Sequence, residues 1–143
     1  MTDIRQQEPL RLLLVEDNPA DAHIIEISLR EIPLATQLIR MEDGETALAF
    51  LRRNPPYTDA PRPDLILLDL HLPKTNGFEV LDEVYGDPQL QTIPVVVCLG
   101  STLDAELLDR YSIPADCVFT KGYDPERLLY VLTRCPNVTN KAA

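Results

Sequence analysis

Residues 65–70 read LILLDL, the most apolar run of the chain, and one carboxylate interrupts it at Asp69. A continuous apolar run of this kind is typical of a central strand that is buried on both faces of a sheet. Four other runs predict strands, and they cover residues 12–15, 36–41, 93–99 and 117–120. We therefore expect a five-stranded sheet with residues 65–70 near its centre.

Amphipathic stretches separate the predicted strands and indicate helices. The first predicted helix starts with Asn18-Pro19 and stops at Pro33, the second starts at Asp43, and the third follows Gly77. The fourth and fifth predicted helices cover residues 103–111 and 125–135. Because strands and helices alternate strictly, the pattern predicts an α/β protein with a parallel sheet and helices on both faces. In such sheets the ligand site lies beyond the carboxyl ends of the strands.

The length of 143 residues favours one domain, which we predict to span residues 11–135 between tails at 1–10 and 136–143. Hydrophobic residues make up 45% of the chain and charged residues 25%, so the composition is globular and not disordered. Residues 54–63 hold four prolines. They predict a surface loop and not a domain boundary, because neither side is complete alone.

The formal net charge of −10 argues against a surface that binds nucleic acid or an anionic membrane, because such surfaces need clustered cations. No apolar run reaches the roughly 18 residues of a membrane span, and the N-terminus does not have the profile of a secretory signal. We expect a cytoplasmic location. The three cysteines, Cys98, Cys117 and Cys135, are interpreted as reduced packing thiols.

Charged residues stand at the ends of the predicted strands. Strand one ends in Glu16-Asp17, strand three in Asp69 and strand five in Lys121. A single acidic strand end is usually solvated, but three carboxylates at one edge repel one another unless a cation joins them. Oxygen ligands suit Mg²⁺, and the lysine offers a charge for an anionic group. The glycine-rich signatures of nucleotide sites, G-x-x-x-x-G-K-[ST] and G-x-G-x-x-G after strand one, do not occur.

Three phrases carry a resemblance to a known family: LLLVEDNPAD with the acidic pair, DLHLPKTNG with Asp69, and VFTK, whose lysine lies 52 residues after Asp69. From about residue 11 to residue 134 the chain resembles a response regulator receiver domain, the phosphoacceptor half of two-component signalling. The proline-rich loop and the phrase IPVVV are similar to those of small single-domain regulators that serve phytochrome-type histidine kinases.

The resemblance implies a doubly wound, flavodoxin-like sheet of five parallel strands in the order 2-1-3-4-5. It implies that Asp69 accepts a phosphoryl group from a sensor histidine kinase, and that Lys121 neutralises the charge of that group. Mg²⁺ would be held by Glu16, Asp17, Asp69 and the backbone carbonyl of His71. The protein would not be an enzyme beyond its own phosphorylation and slow autodephosphorylation.

The chain departs from the family pattern at three positions. The hydroxyl residue expected 30 positions after Asp69 is replaced by Leu99, and the aromatic residue expected three positions before Lys121 is replaced by Val118. Gly122 stands where the family has a proline after the lysine. Both halves of the usual hydroxyl–aromatic switch are therefore missing. Ser101 is a candidate substitute hydroxyl if the turn after strand four is shifted.

Only nine residues follow Arg134, so we expect the output to be a protein contact with a downstream phosphotransfer or effector protein. A homodimer through the last strand and helix is the expectation from the resemblance. The alternative function is a phosphorylation-independent interaction module, or a phosphate sink, with a relic pocket. Leu99 and Val118 favour this alternative, whereas the intact acidic residues and Lys121 favour phosphorylation.

Overall fold

The apolar run at 65–70 supplies the central strand of a five-stranded parallel sheet, with strand order β2-β1-β3-β4-β5. The computed structural model describes residues 8–72, 76–100, 108–109 and 111–135. The strands are β1 (Leu10–Val15), β2 (Thr36–Met41), β3 (Leu65–Asp69), β4 (Val95–Leu99) and β5 (Val118–Thr120). The helices within the described residues are α1 (Pro19–Arg30), α2 (Gly44–Leu51), α3 (Gly77–Gly86) and α4 (Pro125–Arg134). The predicted fold class and strand order are confirmed.

Alternate side chains of the central strands enter two separate core layers. In β3, Ile66 and Leu68 face the layer beneath α2 and α3. Leu65 and Leu67 face the opposite layer, beneath α1 and α4. Because a strand presents successive side chains to opposite faces, an apolar run without alternation can only be satisfied by helices on both sides.

Side-chain caps fix the start of the first two helices. The Asn18 carboxamide oxygen accepts hydrogen bonds from the backbone N–H groups of Ala20 and Asp21, at 2.8 and 3.2 Å. The Asp43 carboxylate accepts from the N–H of Thr46 at 2.8 Å. These bonds satisfy donors that the first turn of a helix leaves without partners. Both predicted helix starts are confirmed.

Several predicted ends are displaced by one to three residues. Helix α1 ends at Arg30 and not at Pro33, because a proline disfavours helical backbone at the residue before it. Strand β4 begins at Val95 and not at residue 93, where Pro94 has no N–H to donate to a neighbouring strand. Strand β3 ends at Asp69, and Cys117 closes the 3₁₀ turn Ala115–Cys117 before β5.

Some predictions fall outside the described residues. Most of the helix predicted at 103–111 lies there, although Leu108 and Asp109 are helical. Most of the tail at 1–10 and the whole tail at 136–143 lie there too, so the domain bounds stay a prediction. Among the helices that the structure describes, none has the length and apolar character needed to cross a membrane.

Helix α3 begins in direct contact with the end of β3, at Gly77. The Gly77 N–H donates a hydrogen bond to the Leu70 carbonyl at 3.1 Å. A Cβ atom at Gly77 would collide with the Leu70 Cα and with the carbonyl oxygen of Asp69. Both are backbone atoms that cannot move aside as a flexible side chain would. A residue without a side chain is therefore needed for α3 to start against the strand that carries Asp69.

We predict that Gly77→Ala lowers the free energy of unfolding by about 1–3 kcal/mol, since the added methyl group must displace backbone. Urea denaturation followed by circular dichroism measures the change. Gly86→Ala, at the other end of α3, is the matched control, because a Cβ there meets no atom within 4 Å. Equal stability of the two variants would contradict the close approach.

Candidate functional site

The parallel sheet brings the predicted strand-end residues to one edge. Glu16 follows β1, Asp69 ends β3, and these two strands are neighbours in the sheet. Lys121 follows β5, two strands away from β3, and its side chain reaches back across the edge. The Lys121 Nζ lies 2.9 Å from Asp69 Oδ2 and 3.1 Å from Glu16 Oε1. The predicted grouping of these side chains is observed.

Three carboxylates are close enough to share one cation. One oxygen from each of Glu16, Asp17 and Asp69 lies within 4.8 Å of the others. Glu16 and Asp69 are buried, whereas Asp17 is exposed and leaves the group open to solvent. Hard oxygen ligands with one open side suit a divalent cation that keeps several of its waters.

The buried carboxylate of Glu16 has spare acceptor capacity. Its Oε1 accepts hydrogen bonds from Lys121 Nζ and from the N–H of Asn18, at 3.1 and 3.2 Å. Its Oε2 lies 3.0 Å from Lys121 Nζ, but among the described residues no donor is directed at it with hydrogen-bond geometry. A buried carboxylate oxygen of this kind is costly unless another partner arrives. A bound cation would satisfy it, so the residues fit a metal site.

The site holds more carboxylates than positively charged groups, and the pKa values of its residues reflect this imbalance. Burial is the main cause that raises the pKa of Glu16, to about 7, and the Asp69 charge raises it further. Burial alone would lower the pKa of Lys121, but its hydrogen bonds to Asp69 and Glu16 outweigh burial and raise it. The ammonium therefore stays charged at neutral pH, while the carboxylates around it still repel one another.

The Asp69 carboxylate is held from two sides. Its Oδ1 accepts a hydrogen bond from the backbone N–H of His71 at 3.0 Å, and its Oδ2 faces Lys121 Nζ. His71 itself is an exposed residue. The predicted part of the His71 carbonyl in metal binding stays a prediction.

Two residues of the site were not predicted from the sequence. Asp21, in the first turn of α1, places Oδ2 3.2 Å from Lys121 Nζ. Arg40, in β2, donates from Nε to the carbonyl of Glu16 at 3.0 Å and from Nη2 to the carbonyl of Asp17 at 3.2 Å. Arg40 thereby holds the backbone of Glu16 and Asp17 in place. In the sequence, Arg40 is marked only as a positively charged residue in the strand that precedes the second helix.

Two of the three departures from the family pattern, Leu99 and Val118, lie in or against the core. Leu99 ends β4 and is 4% exposed, and Val118 is half-buried at the start of β5. Both pack in the core layer beneath α2 and α3. The Leu99 carbonyl accepts a hydrogen bond from the N–H of Lys121 at 2.8 Å. Ser101 lies outside the described residues, so its role as a substitute hydroxyl stays a prediction.

Comparison with known proteins agrees with this geometry. The family model described as response regulator receiver domain matches residues 12–133. Response regulator Rcp1 of Synechocystis sp. is 42% identical over 114 residues, which cover 80% of this chain and 78% of Rcp1. A solved Mn²⁺-bound form of response regulator Rcp1 is similar with a TM-score of 0.71 and 39% identity, over 85% of this chain and 87% of that one.

Two further solved structures are similar over most of their length. The bacteriophytochrome response regulator AtBRR has a TM-score of 0.80 at 33% identity, and the match covers 88% of this chain and 91% of AtBRR. The phosphorylated cyanobacterial phytochrome response regulator RcpA has a TM-score of 0.73 at 39% identity, over 87% of this chain and 89% of RcpA.

Proposed function

Because the chain belongs to the response regulator receiver family, we propose that Asp69 accepts a phosphoryl group from a sensor histidine kinase. The observation that carries this proposal is the position of the Asp69 carboxylate. It is 1% exposed, and it lies at the strand edge between the His71 N–H and the Lys121 ammonium. Glu16 and Asp17 stand beside it with oxygens that fit a cation.

The proposed reaction is a transfer between two nucleophiles. An Asp69 carboxylate oxygen attacks the phosphorus of a phosphohistidine and forms a P–O bond. The P–N bond breaks, and its electron pair returns to the imidazole nitrogen of the kinase. Negative charge on the phosphoryl oxygens must be neutralised during this step. Lys121, whose Nζ is 2.9 Å from Asp69 Oδ2, supplies one of the required positive charges.

Mg²⁺ is the proposed cofactor. Glu16, Asp17 and Asp69 would hold it, together with the carbonyl of His71. When bound, the ion supplies charge neutralisation to the phosphoryl oxygens and a template that orients them. The three carboxylates are the ligand type that Mg²⁺ and Mn²⁺ both accept. The Mn²⁺-bound form of Rcp1 supports a divalent cation in a protein similar to this one.

The proposed partners are other proteins. AtBRR and RcpA are regulators of phytochrome systems, which supports a phytochrome-type kinase as the phosphodonor. The output would be a contact with a downstream phosphotransfer or effector protein. We propose a homodimer contact on β5 and α4, where Tyr130 of α4 is 38% exposed and Tyr123, between the two elements, is 59% exposed. Neither nucleic acid nor membrane is expected as a partner of a chain with a net charge of −10.

Incubation of the protein with acetyl phosphate and Mg²⁺, followed by intact mass measurement, tests the proposal. We expect a gain of roughly 80 Da, the mass of one phosphoryl group on an acyl phosphate. The gain should be lost in Asp69→Asn and kept in Asp59→Asn, a matched carboxylate in the exposed proline-rich loop. A protein that gains no mass from acetyl phosphate, phosphoramidate or a phosphorylated histidine kinase would contradict the proposal.

The packing of Leu99 and Val118 favours a second candidate function. Leu99 belongs to the core and Val118 packs against it. Both side chains are aliphatic, so neither supplies a hydroxyl to a phosphoryl group or an aromatic ring that could swing between two positions. Phosphorylation would then change the conformation little. Under this second function the protein is a phosphate sink, or it contacts its partner without regard to phosphorylation.

Leu99→Thr tests whether the missing hydroxyl limits the switch. A hydrogen bond to a charged phosphoryl oxygen contributes about 1.5–3 kcal/mol, so we expect phosphorylation by acetyl phosphate to be roughly tenfold faster or more in the variant. Amide hydrogen exchange should also show larger phosphate-dependent changes in β4 and β5. Leu99→Val is the control, because valine has the shape of threonine without the hydroxyl. If the parent protein and Leu99→Thr are phosphorylated equally fast and show the same amide exchange, another group already donates the hydrogen bond to the phosphoryl oxygen.

A further inference from the structure

Two cysteines outside the phosphoacceptor site lie in contact at the other end of the sheet. Cys117 precedes β5, whereas Lys121 follows it, so the length of β5 separates the pair from the acidic residues. Cys135 follows the last residue of α4. The two Sγ atoms are 2.7 Å apart, although 18 residues separate them in sequence. Both are free thiols.

The backbone holds both thiols where they are. The N–H of Cys117 donates to the Pro114 carbonyl at 2.9 Å, in the 3₁₀ turn. The N–H of Cys135 donates to the Val131 carbonyl at 3.1 Å, at the end of α4. The side chains are buried among core residues, with 4% and 1% exposure. Because the two Sγ atoms are already 2.7 Å apart, the side chains are placed for a covalent bond between the sulfurs.

A cavity reaches this pair of cysteines. A cavity of about 170 Å³ is lined by both thiols and by Tyr85, Ile93 and Pro114, and it offers a small oxidant a route inward. The hydrogen bond with Cys135 lowers the pKa of Cys117, which favours its thiolate form. Cys98, in contrast, is completely buried in β4, and burial raises the pKa of its thiol.

We propose that Cys117 and Cys135 are a reversible dithiol–disulfide site that a peroxide oxidises. The Cys117 thiolate attacks one peroxide oxygen, the O–O bond breaks, and a sulfenic acid forms with release of hydroxide. The Cys135 sulfur then attacks the Cys117 sulfur, the S–O bond breaks, and a second hydroxide leaves. With the protons of the two thiols, one hydrogen peroxide is reduced to two waters while two thiols are oxidised to one disulfide.

The disulfide would join the end of α4 to the turn that precedes β5. It would close a loop over residues 117–135 and restrict the unfolded chain, so the oxidised protein should unfold at a higher temperature than the reduced protein. Because none of the acidic residues or Lys121 takes part, this site does not depend on phosphorylation at Asp69.

The test treats the folded, reduced protein with hydrogen peroxide and removes the peroxide before the intact mass is measured. The remaining thiols are then blocked with iodoacetamide in denaturant, and the tryptic peptides are mapped. We expect a loss of about 2 Da, the two hydrogens of the thiols, and one cross-linked pair made of peptides 111–121 and 135–141. Dithiothreitol should reverse the loss and lower the unfolding temperature again.

Three variants locate the bond. Cys98→Ala should still form the cross-link, whereas Cys117→Ser and Cys135→Ser should not. If a serine variant fails to fold, the peptide map of the unaltered protein still decides. Oxygen addition on single cysteines without a cross-link, a cross-link that involves Cys98, or three thiols that remain open to iodoacetamide would each overturn the proposal.

Discussion

The contact of the Lys121 ammonium with buried carboxylates is the interaction on which the site depends. Its Nζ lies 2.9–3.2 Å from oxygens of Glu16, Asp21 and Asp69. One positive charge cannot balance three carboxylates, and the exposed Asp17 adds a fourth nearby. Without this lysine, the ends of β1 and β3 would face each other with uncompensated negative charge. The lysine therefore offsets part of the repulsion among the carboxylates and leaves a net negative charge that suits a cation.

Much of the fold and of the site could be predicted from the sequence because the determining features are local or topological. The apolar run at 65–70 requires helices on both faces, and parallel strands bring their carboxyl ends to one edge. The grouping of Glu16, Asp69 and Lys121 follows from that rule. Asp21 and Arg40 could not be found in the same way, since their contacts depend on the exact start of α1 and on the register of β1 with β2.

The remaining differences have equally physical causes. Proline restricts its neighbours, so Pro33 and Pro94 moved a helix end and a strand start away from the apolar pattern. The contact of Cys117 with Cys135 joins two elements through the core, and no spacing in the sequence indicates it. The departure at Leu99 was visible in the sequence, but only the structure shows that its side chain is part of the core.

Lys121 neutralises part of the negative charge that the carboxylates would otherwise present to a divalent cation. Calorimetric titration of the metal-free protein with Mg²⁺ tests this neutralisation most directly, in the parent and in Lys121→Met. Loss of the ammonium makes the site more negative, so we expect Mg²⁺ binding that is about tenfold tighter or more in the variant. Asp17→Asn should weaken Mg²⁺ binding, which would show that the measured heat comes from binding at these carboxylates. Unchanged or weaker binding of Mg²⁺ to Lys121→Met would contradict the account.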